Sequence, residues 1–122
     1  MTREPGTTRP TEQHTVTVNG GVRLAYEVTG PPAGQPVLLL PALGKTAADW
    51  AAVRDELARK RRVFALDLRG HGASARPRSY SLPLMRDDVP AFLDALGLDR
   101  VDLVDPRGGA ARVHGGRFGV PR

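Results

Sequence analysis

At 122 residues and 40% apolar content, the chain has the length of one domain and the apolar surface for a modest core. It has no cysteine, which excludes disulfides, thiolate metal sites and a cysteine nucleophile together. The net charge is +5, of which +3 falls in residues 105–122 (four Arg, one Asp), so the body is nearly balanced and a pull on anionic partners is confined to that segment.

Residues 1–13, MTREPGTTRPTEQ, are polar, aperiodic and without the apolar core of a secretory signal. They read as a disordered leader. The longest apolar run, VLLLPAL, is too short to span a bilayer. A cytoplasmic protein with no membrane segment, metal or cofactor is expected. In HTVTVNGGVRLAYEVTG, Val16 and Val18 alternate with Thr15 and Thr17, and Val22, Leu24, Tyr26 and Val28 alternate again. Asn19-Gly20 between them predicts an antiparallel hairpin with one face buried. Val37 to Leu40 is continuously apolar, as a strand covered on both faces requires.

A helical pattern opens at Thr46, where Asp49 three residues on suggests a capping box. Trp50, Val53 and Leu57 make one apolar stripe, and the run Arg59 to Arg62 complements the helix C-terminus. Val63 to Leu68 is a second buried strand. After the loop RGHGASARPRS, a second helix has Ser81 as N-cap, Pro83 in its first turn and Met85, Val89, Phe92, Leu93 and Leu96 on its inner face. Pro90 interrupts this helix, and Gly97 followed by Leu98 ends it. Arg100 to Val104 is a third short buried strand. The order is a hairpin followed by β-α-β-α-β, which predicts an α/β fold with a parallel sheet.

Three segments in this order, VLLLPALG…W, FALDLRGHGAS and DALGLDRVDLV, resemble the first part of the α/β-hydrolase fold, in the manner of its esterase and enol-lactonase-like members. The resemblance spans about residues 14–104, the predicted domain. Its most specific piece is D-x-R-G-x-G-x-S after the fourth strand, here Asp67, Arg69, Gly70, Gly72 and Ser74. The work of this piece is structural. Asp67 ends a buried strand and needs partners, which Arg69 can supply. The glycines allow a tight path with positive φ, and the Ser74 hydroxyl serves backbone donors. His71 between the glycines reads as a loop histidine. Trp50 reads as core.

The resemblance also implies an oxyanion hole in the turn after the third strand, with the backbone N–H of Leu43 as donor. Pro41 and Ala42 stand where that turn commonly has His and Gly, and Ala42 narrows the backbone's freedom. After the fifth strand the family places G-x-S-x-G, the nucleophile elbow. This chain has Asp105, Pro106 and Arg107 in the places of Gly, x and Ser, followed by Gly108-Gly109. A guanidinium stays protonated and cannot attack, and Pro106 fixes φ and removes a donor where the elbow is tightest. The family's acid and histidine would follow later strands. His114, the only histidine downstream, lies in ARVHGGRFGVPR, which has neither helix nor strand period.

From Asp105 the composition changes to five Gly, four Arg and two Pro, which packs no core, so residues 105–122 read as a disordered Arg/Gly-rich tail. The expected protein is an N-terminal hydrolase fragment, truncated after the fifth strand. Completed, it would take a small ester-like substrate; as it stands it lacks nucleophile, acid and histidine. A non-catalytic protein binding nucleic acid through the basic tail is the alternative. Val101 to Val104 would form an open sheet edge, prone to self-association. A frameshift, a truncated gene model or a pseudogene is the expected origin of the change at Asp105. Sequencing the locus is expected to find hydrolase-like coding in a shifted frame downstream; an intact frame with none would overturn it.

Overall fold

The computed structural model describes residues 11–40, 46–74, 82–104, 110–114 and 117–118. The strands are β1 (Glu12–Val18), β2 (Val22–Thr29), β3 (Pro36–Leu39), β4 (Arg62–Leu66), β5 (Arg100–Val104), β6 (Ala110–His114) and β7 (Arg117–Phe118). A 3-10 turn, Ala47–Trp50, leads into helix α1 (Ala51–Leu57), and helix α2 spans Leu82–Ala95. All strands join one sheet in the order β1-β2-β4-β3-β5-β6-β7. The predicted α/β class, a hairpin followed by β-α-β-α-β, is the one that forms.

The hairpin closes through Asn19, Gly20 and Gly21, all with positive φ, and pairs Val18 with Val22. β2 then runs antiparallel to β4, while β3 lies parallel between β4 and β5. Apolar side chains divide between the two faces of the sheet. The α2 face carries the larger cluster, in which Leu24, Leu38, Phe64, Leu66, Phe92, Leu93 and Val101 are buried. Tyr26 packs there edge-on to Phe92, with ring centroids 5.0 Å apart. The α1 face is thinner, built from Val37, Leu39, Ala47, Ala58, Val63 and Ala65, with Trp50 and Leu57 packed against it.

Asp49 reaches back to accept the Thr46 backbone N–H at 2.8 Å, the carboxylate half of the predicted capping box. Val53 departs from the predicted stripe. It is 43% exposed, because the change from 3-10 to α-helical winding after Trp50 carries Val53 off the side on which Trp50 and Leu57 pack. Pro90 lies inside α2, as predicted. The helix stops where expected: the Leu98 N–H donates to the Leu93 carbonyl at 2.9 Å and the Gly97 N–H to Asp94 at 3.1 Å, with Gly97 at φ +67. These two bonds satisfy carbonyls that the helix end would otherwise leave open. Ser81 lies outside the described residues.

The basic run is engaged by neighbours. Arg61 donates to Asp102 at 2.6 Å and Arg62 lies over the Phe64 ring. Two boundaries differ from those read in the sequence. β1 begins at Glu12, inside the stretch taken as leader. β6 and β7 fall within residues 105–122, where composition predicted no strand, and β6 pairs antiparallel with all five residues of β5. Strand pairing uses backbone groups, so a Gly/Arg-rich composition does not forbid it where a neighbouring edge is open. The expected open edge at Val101–Val104 is therefore covered.

The contrast between an exposed and a buried apolar residue tests this packing. Val53→Ala should change the urea-derived stability by no more than about 0.5 kcal/mol, while Phe92→Ala should cost about 3–5 kcal/mol or abolish folding. A large loss from Val53→Ala would show that α1 is more deeply packed.

Candidate active site

The strand ends set the geometry. β3 and β5 are parallel neighbours, with Leu39 opposite Val104, and the Leu40 N–H donates to the Val104 carbonyl at 3.0 Å. The chain therefore enters segment 41–45, which contains Leu43, and segment 105–109 from adjacent points on one end of the sheet. Both segments, with the oxyanion donor Leu43 and the residues at the elbow position, lie outside the described residues. So does the side chain of His114.

The loop after β4 is described through Ser74. Its residues bond to three separate elements. The Asp67 carboxylate accepts the Ala47 N–H at 2.7 Å through Oδ1 and the Ala73 N–H at 3.0 Å through Oδ2, so it joins its own loop to the start of the 3-10 turn. Gly70 and Gly72 have φ of +78 and +51. A side chain at Gly72 would also collide with the Asp67 carboxylate. The Ser74 hydroxyl donates to the Asp67 carbonyl at 2.6 Å and accepts the Ala25 N–H at 2.7 Å, which ties the loop to β2. His71 is half-buried, with Nδ1 3.0 Å from the Arg69 carbonyl oxygen.

Arg69 is bound differently from the sequence-based expectation. Its fork meets Asp88 on α2 rather than Asp67, at 2.5 Å from Nε and 2.6 Å from Nη2. Both side chains are buried, at 5% and 0% exposure. The hydrogen bond to Asp88 holds the guanidinium pKa above its ordinary value, against the opposing effect of burial. Asn19, in the hairpin turn, donates a further bond to Asp88 at 2.8 Å. Asp88 and Asn19 were missed in the sequence. The available signal was a carboxylate directly before Val89 and four residues before Phe92, on the inner face of a helix, where a charge demands a partner.

Beside this loop lies a cavity of about 620 Å³, bordered by Thr15, Glu27, Thr46, Ala47, Asp67 and Gly72 among others. None of its described lining comes from β3 or β5, so it lies to the β2 side of those two strands. Its Glu27 is bound by Arg54 in a forked pair at 3.0 and 3.2 Å. Among the described residues there is no His, Cys, Asp or Glu cluster suited to hold a metal ion.

The buried pair yields a test. Asp88→Ala strands the Arg69 charge and should cost about 3–5 kcal/mol in urea unfolding, whereas Arg69→Met with Asp88→Leu should recover most of that loss. A double variant as unstable as the single one would show that the pair is not what links α2 to the loop.

A model of the alpha/beta hydrolase fold matches residues 35–104. The 2-hydroxy-6-oxo-2,4-heptadienoate hydrolase of Pseudomonas putida is 41% identical over 97 residues, covering 75% of this chain and 34% of that protein. A protein of Caulobacter vibrioides named as a carbamate hydrolase is 41% identical over 92 residues, covering 72% and 33%. This chain thus spans about a quarter to a third of the length of the curated relatives it matches. Among solved structures, a haloalkane dehalogenase from Bradyrhizobium elkani superposes with a TM-score of 0.75 at 29% identity, over 79% of this chain and 33% of that one. The enol-lactonase of Burkholderia xenovorans gives 0.70 at 28%, over 75% and 36%. With matching motif order, strand order and relatives, the chain belongs to the α/β-hydrolase family and carries the N-terminal part of its sheet.

Proposed function

We propose that the protein derives from a hydrolase acting on a small ester, lactone or related carbonyl compound, and that residues 1–122 by themselves do not hydrolyse such bonds. The observation that carries this reading is the junction of β3 with β5. The side-by-side strand ends supply the framework on which an oxyanion donor such as Leu43 and a nucleophile would meet. The sequence after Val104 then reads Asp-Pro-Arg where the family has Gly-x-Ser. The names of the two relatives, a dienoate hydrolase and a carbamate hydrolase, support a small carbonyl substrate.

The chemistry requires a group that can attack carbon and a second backbone donor behind it. Arg107 offers no lone pair at any working pH. Loss of the nucleophile alone typically removes several orders of magnitude of rate. A cytoplasmic location belongs to the same proposal, on the polar character of residues 1–13. No helix among the described residues is long and apolar enough to cross a membrane.

Hydrolysis of 4-nitrophenyl acetate by the purified chain tests the reading. The rate should equal that of a His-containing, unfolded control of the same concentration, and His71→Ala should leave it unchanged. A saturable rate well above that control would overturn it.

A further inference from the structure

A second cavity, of about 320 Å³, lies on the α2 face near the opening of β4. Arg62 begins that strand and Asp67 follows its end, so roughly 13 Å of strand separates Arg62 from the end that leads into the motif loop. The lining combines an apolar floor, Val28, Phe64 and Leu98, with two hydrogen-bond donors, Arg62 and Tyr26.

Neither donor has a hydrogen-bond partner among the described residues. Arg54, Arg59, Arg61 and Arg69 each face a carboxylate. Arg62 is half-buried, its guanidinium carbon 4.9 Å from the Phe64 ring centroid, and has no carboxylate partner among the described residues. The Tyr26 hydroxyl likewise has no hydrogen-bond partner among them. The Tyr26 ring is held between His14, stacked at 5.6 Å, and Phe92 and Phe64. Burial raises the phenol pKa, with Arg62 pulling against it, so the hydroxyl stays a donor through the neutral range. The acid at the rim, Glu12, is engaged by His14 at 3.0 Å.

A half-dehydrated cation over an aromatic ring, an unused phenol and an apolar floor are complementary to one ligand chemistry. We propose that this cavity binds a small carboxylate bearing an aromatic or branched apolar group, with the carboxylate on Arg62 and the Tyr26 hydroxyl and the hydrocarbon against Phe64, Val28 and Leu98. The proposal does not depend on the hydrolase reading, because no residue of the β3 and β5 ends takes part.

Benzoate is the probe, with benzamide as its neutral isostere, titrated against the labelled full chain by NMR. Benzoate should give saturable shifts at Tyr26, Phe64 and Leu98, and benzamide should bind at least about tenfold more weakly. Arg62→Gln should reduce benzoate affinity by a similar factor, with Arg62→Lys in between, since a lysine keeps the charge and loses the fork. Tyr26→Phe should give a smaller loss. Three results would overturn the proposal: no saturable shift in the unaltered chain, equal affinity for the two probes, or shifts centred away from these residues. Should Arg62→Gln fail to fold, the comparison of benzoate with benzamide on the unaltered chain decides.

Discussion

The buried contact between Arg69 and Asp88 is the point through which the sheet, the hairpin turn and helix α2 are joined. Its geometry is forked, both groups are nearly sealed from water, and Asn19 occupies a further acceptor position on the same carboxylate. An ion pair of this kind contributes little net stability against a well-packed apolar alternative, because desolvation offsets the attraction. What it imposes is position. The charge on the helix cannot move away from the loop without being left unpaired in an apolar setting. Asp67 acts in the same loop toward the opposite face, gripping the start of the 3-10 turn through Ala47. One short segment after β4 thus registers the elements on both sides of the sheet.

The two faces are unequally covered. The α2 face has aromatic and leucine side chains at or near zero exposure. The α1 face relies on alanines, half-buried Trp50 of the 3-10 turn and Leu57 of α1, and aliphatic strand residues, and it leaves Val53 in water.

The strands were legible from residues because their signals are local and strong. Asn19-Gly20 sets a turn, the Val37 and Val63 runs can only sit in a covered sheet, and Gly97 followed by Leu98 ends α2 through backbone geometry. The D-x-R-G-x-G-x-S string was legible as a motif, yet the partner of Arg69 was not. Asp67 is two residues away and Asp88 nineteen, and sequence distance favours the wrong one. Only the arrangement of α2 over the loop brings Asp88 within reach. β6 was hidden for a related reason. Its pairing is a property of the β5 edge, which no pattern inside residues 110–114 encodes. The Arg62 cavity was invisible because the run Arg59 to Arg62 looks uniform in sequence, whereas its three arginines meet a carboxylate, a carboxylate again and an aromatic face.

The strand order has a consequence for how the chain is made. β3 sits between β4 and β5, and both of its neighbours come later in the chain. As the polypeptide emerges from the ribosome, the hairpin can form at once, and β4 can join β2 and β3 when residue 66 has appeared. The other edge of β3, including Leu38 and Leu39, waits until residue 104 has been synthesised. At elongation rates of about 5–20 residues per second, that interval lasts seconds. During it the nascent chain presents a hydrophobic strand with one unpaired edge, a form open to capture by a chaperone or by another nascent copy.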